Sequence, residues 1–242
     1  MLNKILSTTL YVSATGALAY TFITHRRISS ISKTDIRAPD DNSKRFKSSH
    51  SVTSIVNPHG HPAIPSSRSI SLSAFPIAKD LSDEQILARF VKGFFGGWVI
   101  GPERTILRLF RPSLVHFPTL KDAGTPISVW SPSSLSPTTL PAKNTVLFGT
   151  FQVLDVKIEE RGDGETESFV DVGFGLDSIA FAGVHRFAVV RREKEVDLVY
   201  EDMCCNPVVD KPLRLGGLHE FHKVYAMLLF REGVADVCNG EV

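Results

Sequence analysis

Residues 182–205 read AGVHRFAVVRREKEVDLVYEDMCC. In the first half His185, Phe187 and Val189 alternate with Arg186, Ala188 and Val190. In the second half Leu198, Tyr200 and Asp202 alternate with Val199, Glu201 and Met203. A period of two is the signature of a strand with one buried face. The polar turn Glu193-Lys194-Glu195 between the runs predicts two antiparallel strands, Val184 to Arg192 and Val196 to Cys204. Upstream, Val146 to Ile158 reads as a further strand. Arg161-Gly162-Asp163-Gly164 is a hairpin signal, and Ser168 to Phe174 is the return strand. Consecutive strands with tight turns make an antiparallel meander.

Downstream, Asn206-Pro207 breaks the last strand. Leu218, Phe221, Tyr225, Leu228 and Leu229 then share one face of a helix running from Leu218 to about Glu232, closed by Gly233. The expected fold is therefore α+β: a curved antiparallel sheet packed on a long C-terminal helix, with a cavity between them. This domain is expected to span residues 80–242. Its first helix starts at Ser82, an N-cap followed by Asp83, Glu84 and Gln85, and ends at Gly96-Gly97. A second, Glu103 to Phe110, is stopped by Pro112. Between Pro112 and Pro141, Leu114 to Phe117 and Ile127 to Trp130 are short strand candidates.

The N-terminal part differs. Ile5 to Thr24 carries no charge, and Lys4, His25, Arg26 and Arg27 flank it. Residues 1–28 read as a membrane anchor through residues 5–24. A mitochondrial targeting segment, or a secretory signal cleaved near Ala17-Leu18-Ala19, fits the same residues. Residues 29–79 are rich in Ser and Pro with single scattered apolar residues, and are expected to be a disordered linker.

The chain has 242 residues, 27 Lys+Arg against 26 Asp+Glu, and a net charge of +1. That balance speaks against a nucleic-acid partner. The cysteines are Cys204, Cys205 and Cys238. An odd count with no C-x-x-C suits free thiols in a reducing compartment. No glycine loop for phosphate, no G-x-S-x-G and no complete metal-ligand set stands out. No cofactor, metal or catalytic set is therefore expected. His219 and His222 form only an H-x-x-H pair on the last helix.

Several short runs resemble the START-like, helix-grip superfamily, which includes polyketide cyclases and lipid-transport proteins. They are Gly173-Phe174-Gly175, Ala182 to Val189, Val196 to Asp202, Asn206-Pro207 and the Leu213 to Gly217 run. The nearer likeness is to a family of uncharacterised START-like proteins of bacteria and plants, over Val146 to Phe230. The N-terminal segment, the Ser-rich linker and the Pro-rich middle depart from that pattern. The resemblance implies binding of a hydrophobic small molecule or lipid between sheet and last helix, and lends no catalytic residues. Side chains expected in such a pocket are His185, Tyr200, His222, Glu201 and Phe187. The expected setting is a mitochondrial or other intracellular membrane. The alternatives are an enzyme, either a hotdog-type thioesterase or a START-like cyclase/hydrolase, and a non-catalytic protein-interaction module.

Overall fold

The meander expected in the second half of the chain forms, and its last four strands pair in chain order. The structure, a computed structural model, describes residues 2–76, 80–117, 120, 124–160, 162, 164–193, 195–214 and 216–239. Side chains of the first helix are described from Gly16 onward. The strands are β1 (Ala63–Ser71), β2 (Ser128–Val129), β3 (Val146–Leu147), β4 (Phe151–Lys157), β5 (Thr166–Gly175), β6 (Ala182–Arg192) and β7 (Glu195–Cys205). They form one seven-stranded sheet in the order β1-β7-β6-β5-β4-β3-β2. All pairings are antiparallel except β2 with β3. Arg161 and Asp163 of the hairpin signal, Lys194 of the next turn and Leu215 before the last helix lie outside the described residues.

Two strand expectations change. Val146 to Ile158 is not one strand, because Phe148 (φ 52°) and Gly149 (φ 70°) are left-handed and fold β4 back on β3. A side chain at Gly149 would sit 1.9 Å from the Pro112 carbonyl oxygen, so this turn needs glycine for space as well as for φ. Leu114 to Phe117 makes only an isolated bridge, His116 to Leu176, while Ile127 to Trp130 contains β2.

The linker expectation is corrected more substantially. Residues 63–71 are the edge strand β1, in full register with β7 from Ala63↔Cys205 to Ser71↔Asp197. Pro65 is tolerated because β1 is at the sheet edge. Before it, the short helix α2 (Lys44–Lys47), N-capped by Ser43, and a π-helical turn (Ser51–Val56) cover the outer face of the sheet. Phe46, Val52, Ile55 and Val56 pack there with Leu154, Val184, Met203 and Cys205. The apolar residues are few, but each one lands on a strand that would otherwise face water. The sheet therefore begins well before residue 80.

The inner face is covered by α3 (Asp83–Gly96), with the capping box Ser82/Gln85 at its start and Gly97 as C-cap. Phe90 and Phe94 meet Phe187 edge-on, with ring centroids 5.2 and 4.9 Å apart. After it come α4 (Gly101–Phe110), ended by left-handed Arg111, and α5 (Gly217–Asn239). The last helix thus runs past Gly233, which is not its end. Gly233 is where α5 crosses α3: a methyl there would lie 2.4 Å from the Phe90 ring, and one on Gly93 would lie 2.8 Å from Gly233 Cα. Gly233→Ala is expected to lower stability by about 1–3 kcal/mol through overpacking, although alanine is the better helix former by about 1 kcal/mol. A raised urea midpoint would show instead that the helices separate freely.

The N-terminal helix α1 (Leu2–Ser29) docks its last turns on the domain. Ile28 and Ile31 are buried, Arg27 reaches Asp236 (3.1 Å) and Glu232 (3.5 Å), and Arg231 Nε donates to the Ile31 carbonyl (2.8 Å). Among the described residues, no helix is long and apolar enough to cross a membrane.

Candidate functional site

Antiparallel register decides which side chains share the inner face, because directly paired residues point the same way. One row across the sheet is Ser66, Asp202, His185 and Val172; the next is Arg68, Tyr200, Phe187 and Val170. At the β5–β6 end of these rows, sheet and helices diverge around an apolar cavity of about 390 Å³. Its lining includes Phe151, Phe174, His185 and Tyr200 from the sheet, Phe94 from α3, and His222, Tyr225, Ala226 and Leu229 from α5. A second lobe of about 420 Å³ shares Glu103, Phe174, Phe181, His222 and Tyr225 with the first, and adds Ser66, Asp202, Cys204 and His219.

The sequence-expected trio His185, Tyr200 and His222 is brought together here. Tyr200 Oη lies 2.8 Å from His185 Nδ1. Burial pushes the imidazole down to about 4, against the pull of the Asp202 charge. Burial, reinforced by Asp202, holds the Tyr200 phenol well above its ordinary value. Both groups are therefore neutral near pH 7. Nδ1 is the one hydrogen-bond partner of Tyr200 Oη among the described residues, so the arrangement that leaves no buried O–H unpaired has the phenol donating to Nδ1 and the imidazole proton on Nε2. Phe174 stacks on His185 at 4.5 Å.

Beside this neutral pair sits a carboxylate with an imidazole against it. His222 Nε2 is 3.1 Å from Asp202 Oδ2, and Ser66 Oγ donates to Asp202 Oδ1. Burial works against the carboxylate's charge, but the hydrogen bonds from His222 and Ser66 hold Asp202 below the usual carboxylate range. Arg68 Nη1 donates to Ser66 Oγ (3.0 Å), and its guanidinium lies 5.8 Å from the Tyr200 ring centre. On the far wall Tyr225 Oη donates to Glu103 Oε2 (2.9 Å), and burial together with that carboxylate raises its phenol pKa.

Two sequence-expected residues are not in the cavity. Glu201 lies on the outer face, where it accepts from the Ser43 N–H and from Ser43 Oγ (2.9 Å). A strand cannot present Tyr200 and Glu201 to the same side. Phe187 is on the inner face but is fully buried beneath Phe90, Phe94 and Tyr200, supporting the wall without lining the space. The inward carboxylate is Asp202, which alternation puts on the face of Tyr200, and the sequence reading does not include Ser66 and Arg68 of β1. The alternation of Ile64, Ser66, Arg68 and Ile70 was the available signal, hidden by Pro65 and the serines.

Cys204 lines the second lobe with His219 and His222, but burial pushes its thiol up to about 12. It is a thiol, not a thiolate, and a poor nucleophile. Among the described residues no group of three or more His, Cys, Asp or Glu is placed to hold a metal ion. Comparison with protein-family models, curated proteins and solved structures finds no match to this chain.

Proposed function

We propose that the protein binds a hydrophobic small molecule, of lipid or isoprenoid-like character, in the cavity between the inner sheet face and α5. The observation that carries this is a largely apolar space of about 390 Å³ with few polar groups: the neutral His185–Tyr200 pair and His222 on one side, and the Tyr225–Glu103 pair on the other. Apolar ligand surface leaving water contributes roughly 25 cal/mol per Å². The few polar groups then fix orientation. The START-like, helix-grip resemblance supports the same reading. On this reading the protein works at an intracellular membrane, with α1 as the attachment.

Mass spectrometry of small molecules co-purifying with the full chain tests it. A reproducible lipid is expected, and Ala226→Phe, which fills the cavity wall, is expected to reduce it at least about tenfold. Protein that is empty after purification and takes up no lipid from extracts would overturn it.

A second reading is an enzyme of hotdog-thioesterase type. One observation favours it: the helix lying directly on the inner sheet face is α3, which follows the first sheet strand. The Asp202–His222 pair would be its acid–base group. Free thiol released from acyl thioesters, lost in Asp202→Asn, would establish turnover. Binding without turnover at any acyl length would reject it.

A further inference from the structure

Helix α4 buries Leu107 but turns its other large apolar side chains outward. A surface helix ordinarily turns its apolar stripe inward and its charges to water. Here Ile106, Leu109 and Phe110, three positions on one face, are 59%, 76% and 73% exposed. The arginines look the other way. Arg104 Nη1 donates to the carbonyls of Phe95 (3.1 Å) and Gly97 (2.7 Å), and the Arg111 guanidinium lies 5.8 Å from the Trp130 ring centre. Arg108 and Arg111 are exposed on that side. Next to α4, Trp98 packs on Tyr20 of α1 with ring centroids 5.4 Å apart. Leu18 and Phe22 of α1 are exposed as well.

We propose that α4 and the adjoining part of α1 form a docking surface for an anionic lipid bilayer, with both helices lying in the headgroup region. The charge pattern selects this occupant. α4 with its C-cap, together with the last turn of α1, presents the exposed Arg26, Arg108 and Arg111 against the single acid Glu103, Arg27 being paired with Asp236 and Glu232 and Arg104 turned inward, in a chain whose net charge is only +1. An apolar ridge backed by arginines is the composition of an interfacial helix. Negative headgroups reward the surplus charge, and the Tyr20–Trp98 pair suits the interface. A second copy of the chain fits worse. A two-fold contact sets the same patch against itself, arginines facing arginines. The surface does not depend on what the cavity holds.

The test is flotation of the full chain with vesicles of roughly 70:30 phosphatidylcholine to phosphatidylserine, against phosphatidylcholine alone. Binding is expected on the anionic vesicles only, weakening with salt. Leu109→Glu/Phe110→Glu is expected to reduce it at least about tenfold. The proposal is overturned by wild-type protein that stays unbound, or by a double variant that floats like wild type. It is also overturned by a wild-type dimer that the variant splits without any vesicle binding. A second measurement keeps the charge-reversed helix out of the test. In Trp130→Phe, Trp98 is the sole tryptophan, and brominated phosphatidylcholine in the anionic vesicles is expected to quench it. Unquenched fluorescence on bound vesicles places the contact elsewhere and rejects α4. Lipid retention by the purified chain is read separately, so either result can fail alone.

Discussion

Replacing Arg186 with methionine is expected to lower the unfolding free energy by about 3–5 kcal/mol. Arg186 is 2% exposed on the outer sheet face. Its Nε and Nη2 grip the two oxygens of Asp171 at 2.8 Å each, and Nη1 reaches Glu167 at 3.2 Å. The Phe169 ring lies 3.8 Å from the guanidinium carbon and the Phe46 ring 5.1 Å. The fork geometry matches a carboxylate, which is why arginine and not lysine holds the position. Burial already raises Asp171 against the pull of Arg186. Without Arg186, the unpaired carboxylate would either be buried as a charge or take up a proton. The loss is then expected to shrink as the pH falls and Asp171 protonates. Arg186→Met/Asp171→Leu is expected to recover most of it, since the cost comes from the orphaned charge more than from the missing pair. Guanidinium unfolding of the two variants decides. A double variant no more stable than the single one would mean that the bridge itself supplies the energy.

That cluster also shows where sequence stops being legible. Arg186 and Glu201 share the outer face of neighbouring strands, in the register Arg186↔Glu201, which the pocket expectation for Glu201 ran against. That register would allow an ordinary cross-strand ion pair between them. But Arg186 is also opposite Asp171 on the other side, and the guanidinium turns that way. Periodicity gives the face of a residue, not which of two flanking strands it serves. Glu201 is then free for Ser43, in a segment whose composition reads as unstructured. Residues 43–71 depart from the linker expectation for a related reason. Disorder is inferred from a segment's own capacity to bury surface, whereas Phe46 and Val56 bury theirs against a sheet 100 residues away in sequence, on the order of a domain length. His185, Tyr200 and His222 were legible because their placement needs only strand alternation and helical spacing, both local.

Between pH 7 and pH 4 the protein is expected to lose about 3 kcal/mol of stability through His185 alone. Its imidazole, ordinarily at 6.5, is pushed down to about 4 by burial. In that window the unfolded chain binds a proton that the native site refuses. Stability therefore rises with pH: this contribution is fully present above about 6.5 and is lost progressively as the pH falls toward 4. Other buried groups slope the opposite way. Burial raises Glu201, Glu232 and Asp236 in the native state, so acidification favours folding through them. The total profile mixes both signs, and a difference is needed. His185→Phe/Tyr200→Phe removes the imidazole and its phenol partner together, leaving no orphaned hydroxyl. The new ring can keep the stack on Phe174. Tyr200 itself stays protonated throughout this range. The gap in unfolding free energy between wild type and this variant is expected to narrow by about 3 kcal/mol, or to reverse, from pH 7 to pH 4. Parallel profiles would mean that water reaches His185 in the native state. A wet cavity floor would also weaken the proposed ligand, because the reward for an apolar molecule depends on a wall that stays neutral and dry. A dry, neutral imidazole instead offers one N–H to a ligand oxygen without demanding a charged headgroup.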